Sequence, residues 1–180
     1  MVDAIAQSVL PDHRLESLYG HWLGKRRGRR MPARADIDPL EIPADTWPHT
    51  MLLDVVWERS RPRFRYRRVG EIFWRGGREP TGMFIDEVLP ETAGYRRYVV
   101  GIYEEMARRS CAIYSENSFT LAGRALPMVT RRVSLPLSTD GEVVNMVLAG
   151  HVFEHGTLTR EIAFSLIRDL KELRRDVLER

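Results

Sequence analysis

Three consecutive segments with the two-residue period of a β-strand, joined by very short connections, constrain the fold of this chain most. Residues 112–121, 125–137 and 142–153 are rich in β-branched and apolar residues. The sequence Ala-Gly-Arg at 122–124 joins the first two segments, and Ser-Thr-Asp-Gly at 138–141 joins the next two. Because a parallel pair needs a crossover of about a dozen residues or more, these segments must pair antiparallel. The chain is therefore expected to contain an antiparallel sheet.

Two earlier strands and a run of turns precede those segments. Residues 51–58 (MLLDVVWE) and 63–69 (RFRYRRV) read as strands, and the turn sequence at 60–62 predicts that they form a hairpin. From 70 to 90 the chain breaks into short turns punctuated by glycine. Such turns cover a sheet face without sealing it as a long helix would, and small molecules usually bind in concave apolar sites. We therefore expect a pocket between these turns and the sheet.

Three segments have the apolar spacing of an amphipathic helix. The first has Asp12 as its expected N-cap and is stopped by Pro32, and the second runs from about 91 to 109. The third is predicted over 156–180. Its cap is Thr157 or Thr159, and its apolar stripe is Ile162, Leu166, Leu170, Leu173 and Val177.

The order of these elements predicts an α+β fold. We expect a five-stranded antiparallel sheet with helices on one face, plus flanking N- and C-terminal helices. Residues 1–45 would form the first helix and a basic, proline-rich tether, residues 46–155 the sheet domain, and residues 156–180 the C-terminal amphipathic helix.

Several stretches resemble a known family. The stretch RFRYRRVGEIFWRGGREPTGMFIDEVLP at 63–90 and the closing LPLSTDGEVVNMVLAG look like the second strand, glycine turns and final hairpin of the PAS domain family. More specifically, HWLGKRRGRRMPARADIDPLEIP, RFRYRRVG, the Thr-Gly step at 81–82 and RRVSLPLSTDG resemble a bacterial subfamily of short, mostly stand-alone PAS proteins. This resemblance extends over roughly residues 15–153.

The resemblance implies both an arrangement and a role. It implies the strand order 2-1-5-4-3, which would place 51–58 at the centre of the sheet beside 142–153. It also implies a sensor or interaction module in which a small-molecule ligand or a partner protein alters the sheet. A flanking helix would transmit the change, and such helices commonly form homodimers. The expected ligand-binding set is aromatic and apolar: Tyr66, Phe73, Trp74, Phe84, Tyr98, Ile102, Met106, Tyr114, Met128 and Met146.

The residues do not support the common cofactors of PAS proteins, and the ligand stays unknown. A haem-binding member would carry a histidine on the long helix, and 91–109 contains none. Photoactive flavin members have a cysteine in a turn at the pocket, whereas Cys111 follows that helix and reads as a small buried apolar residue. The sequence His151-Val-Phe-Glu154-His155 matches a zinc peptidase motif, but that motif requires a helix, and here it closes a predicted strand. We expect no metal site.

Charge and composition bear on the partners and the compartment. Twenty-eight basic and 25 acidic residues leave a net charge of +3, which does not by itself indicate a nucleic-acid-binding protein. No run approaches the roughly 18 apolar residues of a membrane span, and Asp3 stands where a signal peptide would be basic. A single cysteine suits a reducing compartment, so we expect a cytoplasmic protein. A basic cluster is formed by Lys25, Arg26, Arg27, Arg29 and Arg30.

Two other functions stay open. A small α+β isomerase would use Asp86 or Glu116 as general base, with Tyr66 or Tyr114 polarising a carbonyl group. A regulatory nucleic-acid module would instead use the basic cluster to bind phosphates. The sensor hypothesis is favoured over both because two strands precede the main helix and no recognition-helix pattern accompanies the basic cluster.

Overall fold

A computed structural model describes residues 10–74, 78–123, 126–154 and 167–178. Its strands form one antiparallel sheet of six strands in the order β2-β1-β5-β4-β3-β6. The strands are β1 (Thr50–Glu58), β2 (Arg61–Val69), β3 (Ala112–Leu121), β4 (Met128–Leu137), β5 (Met146–Glu154) and β6 (Ile167–Leu178). The α+β class and the antiparallel sheet are confirmed, but the sheet has a sixth strand where five were expected.

In the described ranges, three α-helices and several single turns of 3-10 helix accompany the sheet. The α-helices are α1 (His13–Arg26), α2 (Ile85–Val88) and α3 (Tyr95–Arg109). The N-cap of α1 is Asp12, as predicted, and its carboxylate accepts a 2.9 Å hydrogen bond from the backbone N–H of Arg14. The helix α3 begins later than 91, because Ala93 and Gly94 have φ angles of 51° and 74°. None of the described helices combines the length and apolar content of a membrane span.

Helices cover both faces of the sheet. Gly150 and His151 on β5 point to opposite faces because side chains alternate along a strand. A Cβ atom added to Gly150 would lie 2.9 Å from a methyl group of Leu18 and 3.0 Å from one of Leu15, both on α1. The side chain of His151 instead contacts Tyr103 on α3. The sequence predicted helices on one face and a flanking N-terminal helix whose position was not specified. In the structure α3 and the turns after β2 cover the inner face, and the flanking helix α1 covers the outer face.

The C-terminal segment is a strand, so the prediction of a C-terminal amphipathic helix was wrong for the residues that the structure describes. Ile167–Leu178 forms β6, which pairs antiparallel with the edge of β3. The edge of β3 offers a row of backbone N–H and C=O groups, and pairing with them outweighs a weak helical periodicity. The ladder accommodates Leu173 by a register shift and leaves this side chain 54% exposed. The predicted caps, and the first two residues of the apolar stripe, lie outside the described residues.

Candidate functional site

A partly enclosed cavity lies between α3, the turns after β2 and the inner face of the sheet. Its volume is about 50 Å³. Most of its wall is apolar and comes from three places in the chain: the sheet, the turns and α3. The apolar residues include Met51, Tyr66, Val69, Phe73, Ile85, Val99 and Phe153.

Gly70 makes the turn that closes one side of the cavity. Its backbone N–H donates a 2.8 Å hydrogen bond to the carbonyl oxygen of Thr50, where β2 ends beside β1. A Cβ atom at this position would lie 2.2 Å from the carbonyl oxygen of Pro48, so only glycine fits without a backbone shift. A single 3-10 turn follows. It places the centre of the Phe73 ring 5.2 Å from the centre of the His151 ring and 5.8 Å from that of Phe153.

A band of buried polar residues crosses the inner face of β3, β4 and β5. The register places Arg132 directly opposite Ser115 on one side and His151 on the other. Every member of the band is at most 3% exposed. The members are Ser115, Asn117, Thr130, Arg132, Ser134 and His151. A sheet face packed against a helix is normally apolar, so this band indicates a role beyond packing.

Arg132 is the charged residue at the polar end of the cavity. Its side chain is only 1% exposed, and no carboxylate of the described residues forms an ion pair with it. One guanidinium nitrogen donates to the hydroxyl of Ser115 at 3.4 Å, and the phenols of Tyr95 and Tyr103 lie within range of the guanidinium charge. Its Nε atom has no hydrogen-bond partner among the residues that the structure describes. Burying a charge without a counter-charge is costly, so the site favours an anion beside Arg132.

His151 and the two tyrosines surround this charge with groups that stay uncharged. Burial, reinforced by the charge of Arg132, holds the pKa of His151 well below its ordinary value, so the imidazole is neutral at pH 7. Its Nε2 atom lies 3.3 Å from the hydroxyl of Tyr103, and its Nδ1 atom has no partner. Burial raises the pKa of Tyr103 to about 12 and also raises the pKa of Tyr95, so both phenols keep their protons.

A chain of hydrogen bonds connects the cavity with α1 on the outer face. Arg14 donates to Nε2 of His49 at 2.8 Å, and because arginine can only donate, this nitrogen is unprotonated. The Nδ1–H group of His49 therefore donates to the backbone carbonyl of His151, at 3.0 Å. Arg14 also binds the N-cap carboxylate of Asp12. The backbone of a cavity residue is thus linked to the first turn of α1.

Two of the ten residues predicted to bind a ligand, Tyr66 and Phe73, line this cavity. The other eight do not belong to its lining. The indole of Trp74 donates to the carbonyl of Val69 at 3.3 Å, and the ring of Phe84 packs under the guanidinium group of Arg63. The remaining six are core or rim residues: Tyr98, Ile102, Met106, Tyr114, Met128 and Met146.

The polar end of the cavity was missed by the sequence analysis. From Arg132 onward β4 is buried on both faces, and two arginines stand side by side in MVTRRVSL, so the sequence does not distinguish Arg132, which is buried, from Arg131, which forms ion pairs. His151 was interpreted as a polar residue at a strand end, but it is 3% exposed. The one available signal was Tyr103, a phenol on the apolar face of a helix, because a buried tyrosine hydroxyl needs a polar partner.

The carboxylates proposed for other chemistry do not line this cavity. Asp86 forms an ion pair with Arg63 at 3.0 Å, and Glu116 forms one with Arg131 at 2.7 Å. Glu154 also contacts Arg131, on the face opposite to His151, so the H-x-x-E-H sequence does not converge. His155 lies outside the described residues. No group of three or more metal-ligating side chains occurs within the described parts of the chain.

The basic cluster makes contacts within the protein. Lys25 pairs with Glu41 and Arg29 with Asp36, each at 2.6 Å. Arg30 donates to the last backbone carbonyl of α3, also at 2.6 Å. The two ion pairs fasten the tether to α1 and the residues just after it, and they offset two of the positive charges. The contact of Arg30 joins this region to the end of α3.

Comparison with known proteins assigns no relative to this chain: no family model matches it, and neither do the curated proteins or the solved structures.

Proposed function

We propose that this protein is a PAS-type sensor module that binds a small molecule in the inner-face cavity. The observation that carries the proposal is the cavity itself, which combines an apolar wall with a buried polar end where Nε of Arg132 and Nδ1 of His151 lack partners among the described residues. The neighbour order β2-β1-β5-β4-β3 within the sheet supports the PAS resemblance, because it agrees with the order that the resemblance implies. β6 is an addition to that order.

The output passes through α1. A ligand that contacts His151 would act on two connections to α1. His151 is adjacent to Gly150, against which α1 packs, and the backbone carbonyl of His151 accepts a hydrogen bond from His49. A shift of this backbone would change the support of the first turn of α1 through Arg14. The signal would then reach a partner protein, or a second copy of the chain, at the surface beside α1. The module is cytoplasmic in this proposal.

Native mass spectrometry combined with hydrogen exchange tests this function. We expect the freshly purified protein to retain a small molecule, and we expect its removal to increase amide exchange in α3 and α1. Val99→Phe, which fills the cavity, should abolish retention, whereas Val100→Phe, on the next position of α3 and outside the cavity lining, should not. Equal retention by the two variants, or no ligand-dependent exchange in α1, would contradict the proposal.

A further inference from the structure

We infer that the ligand is a short monocarboxylate, with its carboxylate paired to Arg132 and its alkyl or aryl group against the apolar wall. The inference rests on the proposed function, and it adds the chemical class of the ligand. Three properties of the cavity support the inference: its charge, its hydrogen-bond donors and its size.

The charge of the cavity calls for one negative charge. Arg132 lines the cavity and has no ion pair with any carboxylate in the described ranges. Its neighbours Tyr95, Tyr103 and His151 are neutral, so none of them offsets the guanidinium charge. A monoanion would balance it, a neutral ligand would leave it unpaired, and a phosphate dianion would bring a second charge without a partner.

The hydrogen-bonding groups suit the oxygens of a carboxylate. The guanidinium group can only donate, and its Nε–H has no acceptor. The phenol of Tyr103 keeps its proton and carries one donor, which either the Nε2 atom of His151, 3.3 Å away, or a ligand oxygen can accept. Arginine and carboxylate form paired hydrogen bonds that are stronger than bonds between neutral groups. The free Nδ1 atom of His151 supplies a further polar contact at this end of the cavity.

The size of the cavity limits the ligand. A volume of about 50 Å³ corresponds to roughly four water-sized groups. The enclosed part therefore admits a carboxylate and one or two carbon atoms. The rest of the ligand must lie towards the open side, where Phe73 and Phe153 form an aromatic wall. Short aliphatic acids and small aromatic acids meet both requirements.

Calorimetric titration with matched pairs of acids and amides tests the inference. Butanoate is compared with butanamide, and benzoate with benzamide, in chloride-free buffer, because each amide has the shape of its acid without the charge. We expect each acid to bind at least about tenfold more tightly than its amide, as expected for a buried charge-assisted pair. In Arg132→Gln this ratio should fall to about one. The control Arg131→Gln, which changes the neighbouring arginine on the outer face, should keep the preference.

Stability measurements on the same variants show whether Arg132 serves binding or packing. We expect the unfolding midpoint of ligand-free Arg132→Gln to equal or exceed that of the wild type, because the variant removes an uncompensated buried charge. If Arg132→Gln does not fold, Tyr103→Phe keeps the ring and removes one donor. This variant should weaken acid binding about threefold or more and amide binding by a smaller factor, because a hydrogen bond to a charged acceptor is stronger than one to a neutral carbonyl.

The outcomes separate the ligand class from the proposed function. Equal affinity for acid and amide in the wild type would overturn the inference that the ligand is a carboxylate bound at Arg132. A preference for the acid that survives in Arg132→Gln would overturn it as well. Failure of both acids to bind also overturns it. A neutral molecule retained in native mass spectrometry would overturn the carboxylate and still support a sensor with a small-molecule site.

Discussion

Burial determines the protonation states of the polar residues on the inner face. The side chain of His151 is held neutral by desolvation and by the charge of Arg132, and His49 adds to this effect. Both histidines are linked through the carbonyl of His151. In water either imidazole would gain a proton near pH 6.5. In the folded protein protonation is opposed, so acid favours the unfolded state.

The pH dependence of stability should therefore change in His151→Gln. The folded pKa of His151 lies below 6.5, so its stabilising effect is complete above pH 6.5 and is lost as the pH falls below that value. Between pH 7.5 and 5.5 we expect the wild type to lose about 1 kcal/mol more unfolding free energy than the variant. Urea denaturation at the two pH values measures this difference. Parallel losses in both proteins would show that His151 does not stay neutral in the fold.

Gly70 is required by the space beside Pro48. In Gly70→Ala the new methyl group would collide with a backbone carbonyl at 2.2 Å, and we expect a loss of about 3 kcal/mol or more in unfolding free energy. The control is Gly20→Ala in α1, where nothing lies within 4 Å of the added atom. This substitution should stabilise the protein by about 0.5–1 kcal/mol. Thermal unfolding measures both, and a Gly70→Ala protein as stable as the wild type would contradict the geometry of this turn.

At the scale of elements, β6 shows how tertiary pairing overrides local periodicity. In a helix, Leu173 would belong to an apolar stripe and would be buried. In the strand it is 54% exposed, whereas Ile167, at the start of β6, is fully buried. Asp169 has a φ angle of 49°, and register shifts occur along the β3–β6 ladder. These irregularities show that β6 follows the edge of β3 with a sequence that lacks regular strand alternation.

Two substitutions distinguish a strand from a helix in this segment. Leu173→Asp should change the unfolding free energy by no more than about 0.5 kcal/mol, because the side chain is largely exposed. Ile167→Ala should cost about 2–4 kcal/mol through the cavity that it leaves. Chemical denaturation measures both values. A large loss from Leu173→Asp would instead indicate the apolar stripe of a helix.

The sequence predicts the helix α1 well, but it does not predict where α1 packs on the sheet. Its cap and its apolar residues follow from local chemistry. Its packing on the outer face depends on Gly150, a residue distant in sequence whose missing side chain leaves room for Leu15 and Leu18. No local pattern in the sequence connects Gly150 with Leu15 and Leu18, so the packing of a helix on the outer face of the sheet could not be predicted.

At the scale of the whole molecule, the parts that local patterns determine were predictable. Short joints require antiparallel pairing, and Phe64 and Tyr66 on β2 are buried as their alternation indicates. The polar end of the cavity was not predictable, because Arg132 and Arg131 are identical in type and adjacent. The register of β4 against β5 pairs Arg132 with His151 and Arg131 with Val152, and the side chain of Arg131 contacts Glu154.

The central claim, that the inner-face cavity holds a carboxylate at Arg132, is tested most directly by nuclear magnetic resonance of the arginine Nε–H groups. The Nε–H of Arg132 has no acceptor among the described residues of the protein itself. On titration with benzoate we predict a saturable downfield shift of this one resonance, accompanied by shifts of the backbone amides of His151 and α1. Benzamide should leave the Arg132 resonance unmoved. Benzoate shifts that are confined to exposed arginines, or that never saturate, would contradict the claim.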